Sequence, residues 1–257
     1  MRVSVITVTY NSLAELRKTY KSVMRQVGVE FEYIIVDGNS VDGTKDYLEH
    51  SSSDNVHWIS EPDKGIYEAM NKGARLAHGE YCIYMNAGDC FVNNSVLRSV
   101  DPFLDGSEIV LGNQVHLNAE GCIDNYTPSY GEINLESIFK ISLRHQSCFI
   151  KRSVLLLRPY DESLRLVSDW KFFLEWFLSG DVTYKTINLD VCFFRGGGAT
   201  DKNKELGKAE RISVLAHYPE YKHIWSSPYR LPFFKRIIRK LLFFYKYIQY
   251  NNVVKGL

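Results

Sequence analysis

The chain has 257 residues, of which 45% are hydrophobic, so it can bury one large core and shows no compositional sign of disorder. Its five cysteines are odd in number and include no CxxC pair, which excludes a disulfide framework and a zinc cluster as the basis of the fold. The sequence opens directly on an apolar run, and no segment reaches the roughly 18 uninterrupted apolar residues of a membrane span, so we expect a cytoplasmic protein.

The first part of the chain has the pattern of a βαβ unit. Val3–Thr9 is a β-branched run, Ser12 opens a helical pattern with the S-x-x-E form of a capping box, and Phe31–Val36 is a second strand. Because the crossover makes these strands parallel, Thr9-Tyr10-Asn11 and Asp37 are predicted to emerge side by side. The Asp37 carboxylate either binds a base or ribose hydroxyls, or caps the helix that follows.

The stretch from Glu61 to Asp89 has the clearest pattern in the chain. Its apolar residues recur at helical spacing, Gly79 is predicted as a left-handed stop, and Tyr81–Met85 is a strand buried on both faces. Asn86-Ala87-Gly88-Asp89 follows at the carboxyl end of that strand, where open α/β sheets bind ligands. One carboxylate on a backbone with little side-chain bulk would suit a metal-bound phosphate. No GxGxxG or GxxxxGK[ST] motif follows the first strand, which disfavours dinucleotide and P-loop sites.

The second half alternates less regularly. Two short strands are predicted at 109–111 and 115–117, and Gly112-Asn113 could form a turn between them. A further strand ends at Ile150 and is preceded by His145-Gln146, although a lone histidine there is as often structural. A helix begins at Ser168-Asp169 and ends at Gly180.

Five segments, in this order, resemble family 2 glycosyltransferases of the GT-A fold: VITVTYN, IIVDGNSVDGT, the stretch from Glu61 to Asp89, HQSCFIKRSVL and SDWKFFLE. The resemblance implies an α/β fold with a Rossmann-like, mostly parallel central sheet, helices on both faces and a C-terminal helical extension. We therefore expect a GT-A domain at 1–220, with a nucleotide-binding half at 1–90 and an acceptor half at 91–220. Residues 221–257 are expected to form a basic amphipathic helix.

The resemblance also implies where a nucleotide-sugar donor, usually a UDP-sugar, would bind. The implied nucleotide-binding residues are Thr9, Tyr10, Asn11, Asp37, Lys64, Asn71, Asn86, Ala87 and Gly88. The family's D-x-D motif, which binds a metal and the diphosphate, corresponds to Asn86–Asp89, where only Asp89 is acidic. Asp89 with phosphate oxygens and water can complete the shell of Mg²⁺ or Mn²⁺, whereas the alternative is a simple turn residue.

Inverting members of the family keep their general base at the head of the helix that begins at Ser168, which implies that Asp169 is the catalytic residue. The helix dipole would keep that carboxylate ionised, although the dipole alone also explains an acid in the first turn. The predicted acceptor or diphosphate contacts are His145, Gln146, Trp170 and Arg195. The glycines at 196–198 then form either a loop that closes over the diphosphate or a flexible connector.

The C-terminal segment is basic. Eight Lys or Arg and no acid follow Glu220, so the total charge of +1 leaves −7 on residues 1–220. One helical face carries Phe234, Ile237, Ile238, Leu241, Tyr245 and Ile248. This face either packs on the domain or lies on an anionic bilayer, at the inner face of the cell membrane.

These features together favour the transfer of a sugar from a UDP-hexose or UDP-N-acetylhexosamine donor to a saccharide acceptor. A membrane-bound enzyme would suit an acceptor linked to polyprenyl diphosphate in bacterial surface polysaccharide assembly, and we expect no nucleic acid partner. Two alternatives are a non-catalytic nucleotide-binding scaffold and a sugar-nucleotide pyrophosphorylase. The second would need a glycine-rich phosphate loop where this chain has Tyr10-Asn11-Ser12.

Overall fold

The computed structural model describes residues 1–51, 53–118, 120–129, 133–140, 143–198, 202–226 and 233–254, with only the backbone described at 233–237. It confirms the α/β fold. The strands are β1 (Val3–Thr9), β2 (Phe31–Asp37), β3 (Val56–Ser60), β4 (Tyr81–Tyr84), β5 (Cys90–Phe91), β6 (Ile109–Leu117), β7 (Ile123–Thr127), β8 (Cys148–Lys151) and β9 (Tyr184–Arg195).

The helices alternate with these strands most regularly in the first hundred residues. They are α1 (Leu13–Met24), α2 (Thr44–His50), α3 (Ile66–Leu76), α4 (Val96–Val100), α5 (Leu135–Lys140), α6 (Arg152–Leu157), α7 (Ser168–Leu178), α8 (Lys204–Leu215), α9 (Lys222–Trp225) and α10 (Phe233–Val254). A 3₁₀ turn at His145–Ser147 leads into β8.

One nine-stranded sheet has the order β3-β2-β1-β4-β8-β6-β9-β5, with β7 paired to β6. The first four strands are parallel, as the crossovers require, and β6 and β9 are also parallel. β8 runs antiparallel between β4 and β6, and β5 and β7 are antiparallel additions. The carboxyl ends of β1, β2 and β4 therefore lie at one sheet edge, as the βαβ pattern predicts.

Helices cover both faces of the sheet, because alternate residues of the central strands point to opposite sides. Val3 and Val5 of β1 belong to a core cluster that includes α1 and α4, whereas Ile6 and Val8 belong to a cluster that includes α3 and α7. Every residue of β1 and β2 is buried, which explains why their sequences are mainly apolar and β-branched. The buried Glu32 of β2 is compensated by hydrogen bonds from Ser4 and from the N–H groups of His78 and Gly79.

The expected left-handed stop at Gly79 is wrong. α3 ends at Leu76, the following Ala77 adopts an extended conformation, and Gly79 is not among the residues of positive φ. A Cβ at position 79 would lie 2.7 Å from the Ser4 backbone nitrogen. Glycine is therefore required because the chain passes close to β1 as it enters β4.

Two further local expectations are also corrected. Residues 109–117 form one continuous strand without a turn, and Gly112 lets β9 approach, since a Cβ there would collide with the Val191 side chain and lie 3.0 Å from the Leu189 carbonyl. Ser12 forms no side-chain cap on α1, and the Leu13 N–H instead donates to Asp42 Oδ2 at 2.8 Å. Both differences arise from partners distant in sequence, which a local pattern does not contain.

The C-terminal helix α10 packs on β7 and β9. Tyr250 and Val254 are buried in the core, and Lys246 forms an ion pair with Asp190 of β9, whose carboxylate also accepts hydrogen bonds from Tyr126 and Tyr250 at 2.8 Å. Within the described parts of the chain, no helix combines the length and hydropathy needed to cross a membrane. Residues 227–232 and 255–257, and the side chains of Phe234 and Ile237, lie outside the described residues.

Candidate functional site

The tips of β1 and β2 form one wall of a crevice at the sheet edge. Thr9 pairs with Asp37 in register, and the Gly38 N–H donates to the Thr9 carbonyl at 2.9 Å. The Thr9 hydroxyl is buried and has no hydrogen-bond partner among the described residues, whereas Tyr10 is 63% exposed with its ring beside Gly38. An unpaired hydroxyl and an exposed aromatic ring at a strand tip could receive a polar, planar group such as a nucleobase.

Asp37 and Asn11 hold the loop that follows β2. The Asp37 carboxylate is fully buried and accepts hydrogen bonds from the Ser40 N–H and hydroxyl and from the Ser60 hydroxyl. Asn11 has a left-handed backbone, and its Oδ1 accepts the Val41 N–H at 2.9 Å. Both side chains therefore accept hydrogen bonds from residues of this loop and hold its conformation.

The Asn86–Asp89 turn forms the floor of the crevice, and α1 fixes it from below. The Asp89 N–H donates to the Asn86 carbonyl at 2.9 Å, and Gly88 has a φ of +105°, which favours glycine. The Thr19 hydroxyl of α1 accepts the Gly88 N–H at 2.9 Å and donates to the Asp89 carbonyl at 2.8 Å. A tight turn is thus held at the end of β4, next to β1.

Asp89 is a buried acid with few compensating contacts. It is 4% exposed, and its Oδ1 accepts only the Arg195 N–H, at 3.2 Å, among the hydrogen bonds described. Burial raises its pKa to about 7, although that N–H and the nearby His145 favour the ionised form. Among the residues that the structure describes, no ion pair compensates this carboxylate, and burial outweighs the two favourable contacts.

The chemistry around Asp89 fits a hard cation only in part. No group of three or more His, Cys, Asp or Glu side chains that could hold a metal ion occurs among the residues that the structure describes. The Asn86 Oδ1 is nevertheless buried without a partner in the same turn. Two protein oxygens, one of them charged, suit a cation whose remaining ligands come from a bound diphosphate and water.

Asp169 lies in the first turn of α7 and accepts several hydrogen bonds. Tyr67 of α3 donates its hydroxyl to Oδ1 at 3.0 Å, and His145 Nδ1 lies 3.0 Å from Oδ2. Burial alone would raise the pKa of Asp169, but the contacts with His145, the Trp170 N–H and Tyr67 lower it below its ordinary value. Asp169 is therefore an ionised carboxylate at neutral pH, held in one orientation from both sides.

His145 connects the two acids. Its Nδ1 faces Asp169, and its Nε2 lies 3.5 Å from Asn86 Nδ2, so a short chain of contacts runs from Asp169 through His145 to the turn that contains Asp89. The Asp169 side chain is 18% exposed and that of His145 is 12% exposed. The fold thus brings two carboxylates eighty residues apart in sequence to one locality, and Gln146, the residue after His145, is buried.

The structure uses two of the expected site residues differently. Asn71 donates to the Tyr160 carbonyl and to Glu162, and accepts the Tyr160 N–H, all at 2.9 Å, so it clamps the segment before α7. Trp170 is 2% exposed, and its indole N–H donates to the Ile138 carbonyl. Both side chains face the interior, and we do not retain them as ligand contacts.

Two cationic residues that were predicted as ligand contacts direct their charged groups away from Asp89, into solvent or onto the β6–β7 turn. The Lys64 side chain is exposed before α3, and its backbone N–H donates to Glu68. The Arg195 guanidinium lies against Gly121 in the β6–β7 turn, and only its backbone N–H contacts Asp89. For Arg195, therefore, the strand backbone contacts Asp89 and the side chain does not.

Sequence reasoning missed three residues of this region. Tyr67 orients Asp169, Asp63 places its carboxylate against Gly38, and Arg144 precedes His145 in the same segment. Tyr67 is the second residue of α3, and Asp63 lies in the loop before that helix. Both belong to the stretch from Glu61 to Asp89, which has the clearest pattern in the sequence. A tyrosine on the buried face of a helix that begins at a ligand site was the available signal.

Comparison with known proteins agrees with this architecture. The sequence model of glycosyl transferase family 2 matches residues 4–155. A PGL/p-HBAD biosynthesis glycosyltransferase of Mycobacterium tuberculosis is 29% identical over 203 residues, which cover 76% of this chain and 77% of that protein. An uncharacterized glycosyltransferase of the same species is 37% identical over 105 residues, 40% of each protein.

Two solved structures share the fold. Staphylococcus aureus TarS in complex with UDP has a TM-score of 0.63 at 19% identity, and the match covers 86% of this chain and 72% of that one. A mannosyltransferase from Pyrobaculum calidifontis, in complex with GDP-Man and Mn²⁺, has a TM-score of 0.60 at 16% identity, with coverage of 88% and 68%. These structures support the GT-A architecture, and with the family match over more than half of its length the chain belongs to glycosyl transferase family 2.

Proposed function

We propose that this glycosyltransferase moves a sugar from a UDP-linked hexose or N-acetylhexosamine to a hydroxyl of a saccharide acceptor, with inversion at the anomeric carbon. The observation that carries the proposal is the contact chain from Asp169 through His145 to the Asn86–Asp89 turn. TarS, which has the same fold, has been solved with UDP and with UDP-GlcNAc, and this supports a uridine nucleotide as the first donor to test.

In this proposal the acceptor hydroxyl binds beside Asp169. The hydroxyl oxygen forms a bond to the sugar C1 while its proton passes to the Asp169 carboxylate, and the bond from C1 to the UDP oxygen breaks on the opposite side. A divalent cation at Asp89 and the Asn86 Oδ1 would supply positive charge to the departing diphosphate. Tyr67 and His145 hold the carboxylate in the orientation that receives the proton.

The test is UDP release measured over a panel of donor sugars, with and without Mg²⁺ or Mn²⁺. Release that depends on both an acceptor and one donor supports a transferase of that specificity. UDP binding without consumption of any donor would favour a non-catalytic scaffold. The anomeric configuration of an isolated product, read from its proton coupling constant, tests inversion separately.

The pH profile of kcat tests the role of Tyr67. When donor and Mn²⁺ are saturating, so that the cation keeps Asp89 ionised, we expect no acidic loss of kcat down to about pH 5, because the lowered pKa of Asp169 keeps the base ionised. Tyr67→Phe removes a hydrogen bond to the ionised form, so the pKa rises and the acidic limb moves to higher pH, while kcat at pH 8 changes little. An unmoved limb would contradict this role.

Tyr160→Phe is the matched control. Tyr160 packs against the Tyr67 ring, with centroids 5.6 Å apart, but its buried hydroxyl has no hydrogen-bond partner in the part of the chain that the structure describes. Loss of that hydroxyl leaves the hydrogen bonds of the Asp169 carboxylate intact, so the pH profile of Tyr160→Phe should superimpose on that of the wild type. A shift in both variants would indicate a general packing effect.

We further propose that α10 binds an anionic membrane surface at the inner face of the cell membrane. α10 docks through Phe243, Lys246, Tyr250 and Val254, and this leaves the opposite face exposed. That face, the α10 apolar stripe, consists of Ile238, Leu241, Phe244, Tyr245 and Ile248, which are 43–66% exposed, and the exposed Lys240 flanks it. Such a stripe with basic neighbours is typical of interfacial helices.

Vesicle flotation tests this proposal without deleting the helix. Gln at positions 241, 244 and 248 should weaken binding to vesicles containing anionic lipid by about 100-fold or more, because each buried apolar side chain contributes about 1.5–3 kcal/mol. A control with Gln at Leu157 and Ile212, which are 77% and 69% exposed elsewhere, should bind as the wild type does. Equal binding by both variants would refute the assignment.

A further inference from the structure

Three helices, α1, α4 and α10, form one layer on the same face of the sheet, because all three pack on the core cluster that contains Val3 and Val5. α4 connects the other two. Gln26, which follows α1, donates its side-chain amide to the Asn93 carbonyl at 2.6 Å and accepts the Leu97 N–H of α4 at 3.1 Å. α4 and α10 line a common cavity of about 260 Å³. The outer surfaces of these helices therefore belong to one side of the molecule.

The outer side of α1 carries a row of exposed cations, which we call the α1 basic row. It consists of Arg17, Lys21 and Arg25, which recur every four residues opposite the buried side of the helix, with Arg25 directly after the last helical residue. Among the described residues, no ion pair joins any of the three to a carboxylate, and the acid of α1, Glu15, is already paired with Lys18 at 3.1 Å. Like charges at this spacing repel one another, so the row is unfavourable in the protein alone and favourable only beside an anion.

A groove of about 520 Å³ between α1 and α2 runs along the α1 basic row. The partly buried Tyr20, Met24 and Tyr47 line its floor, where the two tyrosine rings meet edge to face with centroids 5.7 Å apart. The Arg17 guanidinium carbon lies 5.0 Å from the centre of the Tyr47 ring, a cation–π contact that holds the charge at the rim of the groove. Cations around an aromatic floor suit a partner that combines negative charge with apolar groups, as the interface of an anionic bilayer does.

We propose that the α1 basic row is a second contact with the anionic membrane surface and binds lipid phosphate groups while the α10 apolar stripe enters the bilayer. The proposal rests on the membrane association proposed above for α10. Both surfaces point away from the same face of the sheet, since the row lies opposite the buried side of α1 and the stripe lies opposite the docked side of α10. The exposed Arg98 of α4 adds a further positive charge to this face.

The distribution of charge in the chain favours a membrane over a small anion as the partner. Residues 1–220 have a net charge of −7, so an anionic surface repels most of the domain and attracts the face that bears the α1 basic row. An amphipathic helix alone would let the domain rock about the helix axis. Contacts on two separate helices fix the rotation of the enzyme on the bilayer.

Vesicle binding at increasing salt tests the proposal, with phosphatidylcholine vesicles that contain or lack phosphatidylglycerol. The variant with Gln at positions 17, 21 and 25, the α1 variant, should bind the anionic vesicles about 10- to 100-fold more weakly than the wild type, since each basic side chain at an anionic surface contributes up to about fivefold. Its binding should also depend less steeply on salt. Vesicles of phosphatidylcholine alone should not distinguish the two proteins, because the α10 apolar stripe is unchanged.

The matched control removes three charges from the opposite face of the sheet. Arg75 of α3 and Lys204 and Lys208 of α8 are exposed on helices that pack on the other core cluster. Gln at these three positions changes the net charge equally and should leave vesicle binding within about twofold of the wild type at 150 mM salt, because charges more than about 8 Å from the bilayer are screened. UDP release by the α1 variant with a water-soluble acceptor should match the wild type, which shows that the variant is folded.

Four results would overturn the proposal: no binding of the wild type to anionic vesicles, equal binding by the α1 variant, an unchanged salt dependence, or an equal loss in the control variant. Equal binding by the α1 variant would leave an acidic protein as the partner of the groove. Failure of the α10 assignment is distinguishable, because it is read on the variant with Gln at positions 241, 244 and 248, in which the α1 basic row is intact. Failure of the transferase function is read from UDP release in solution, without vesicles.

Discussion

Asp169→Asn is expected to lower kcat by about 10²–10⁴-fold, the usual contribution of a positioned general base. The amide keeps the shape of the carboxylate and can still accept from Tyr67, but it cannot take the acceptor proton at neutral pH. UDP affinity should be nearly unchanged, because Asp169 lies on the acceptor side of His145. The measurement is kcat with saturating donor, together with calorimetric UDP binding on the same preparation.

Glu175→Gln provides the control for Asp169→Asn. Glu175 lies on the same helix, where it pairs with Lys171 at 2.8 Å, so its neutralisation alters the charge of α7 without touching the crevice. Wild-type turnover is expected for this variant. If Asp169→Asn also turned over at the wild-type rate, another group would have to remove the proton, and the proposed mechanism would be wrong.

Asp89→Asn is expected to abolish most transfer while making the ligand-free protein more stable at alkaline pH. The folded protein retains a proton on Asp89 up to about pH 7, whereas an unfolded chain releases it near pH 4. Wild-type stability therefore falls as the pH rises through that window, and it stays low above pH 7. The Asn variant lacks this loss, so its unfolding free energy at pH 8 should be higher, by at most about 4 kcal/mol.

Urea unfolding at pH 4.5 and pH 8 in the presence of a chelator measures this effect. The two proteins should differ little at pH 4.5 and most at pH 8, whereas Asp124→Asn, at an exposed acid on β7, should track the wild type at both. A Mn²⁺-dependent increase in UDP affinity should occur in the wild type and be absent from Asp89→Asn. A variant that kept this increase would remove Asp89 from the cation site.

The fold was largely predictable because its signals are local. β1, β2 and β4 are short runs that are mainly apolar or β-branched, α3 has an unbroken buried face, and Gly180, with a φ of +75°, ends α7 as expected. Parallel pairing then follows from the crossovers, which is why Asp37 and the Asn86–Asp89 turn could be assigned to one sheet edge. Gly79 and Gly112 were misjudged because their neighbours, β1 and β9, are remote in sequence.

Side-chain direction was less predictable than position. Asn71 and Trp170 lie next to the site in sequence but face a segment at 160–162 and the α5 backbone, contacts that no spacing rule contains. For α10, the sequence likewise did not show which face packs on the sheet, since apolar residues occur around most of the helix circumference. The docked face was decided by the Lys246 ion pair with Asp190, and the face marked by hydrophobic spacing is the exposed one.

The docking of α10 has a consequence for acceptor length. Lys246 and Tyr250 of the helix bind the buried Asp190 carboxylate of β9, which also accepts from Tyr126 of β7, so the helix cannot swing as an independent arm. If that helix rests on lipid, the distance from the bilayer to the Asp169 carboxylate is constant. We then expect the enzyme to select the hydroxyl at that height, and thereby to glycosylate one sugar along a lipid-linked oligosaccharide while shorter or longer chains react poorly.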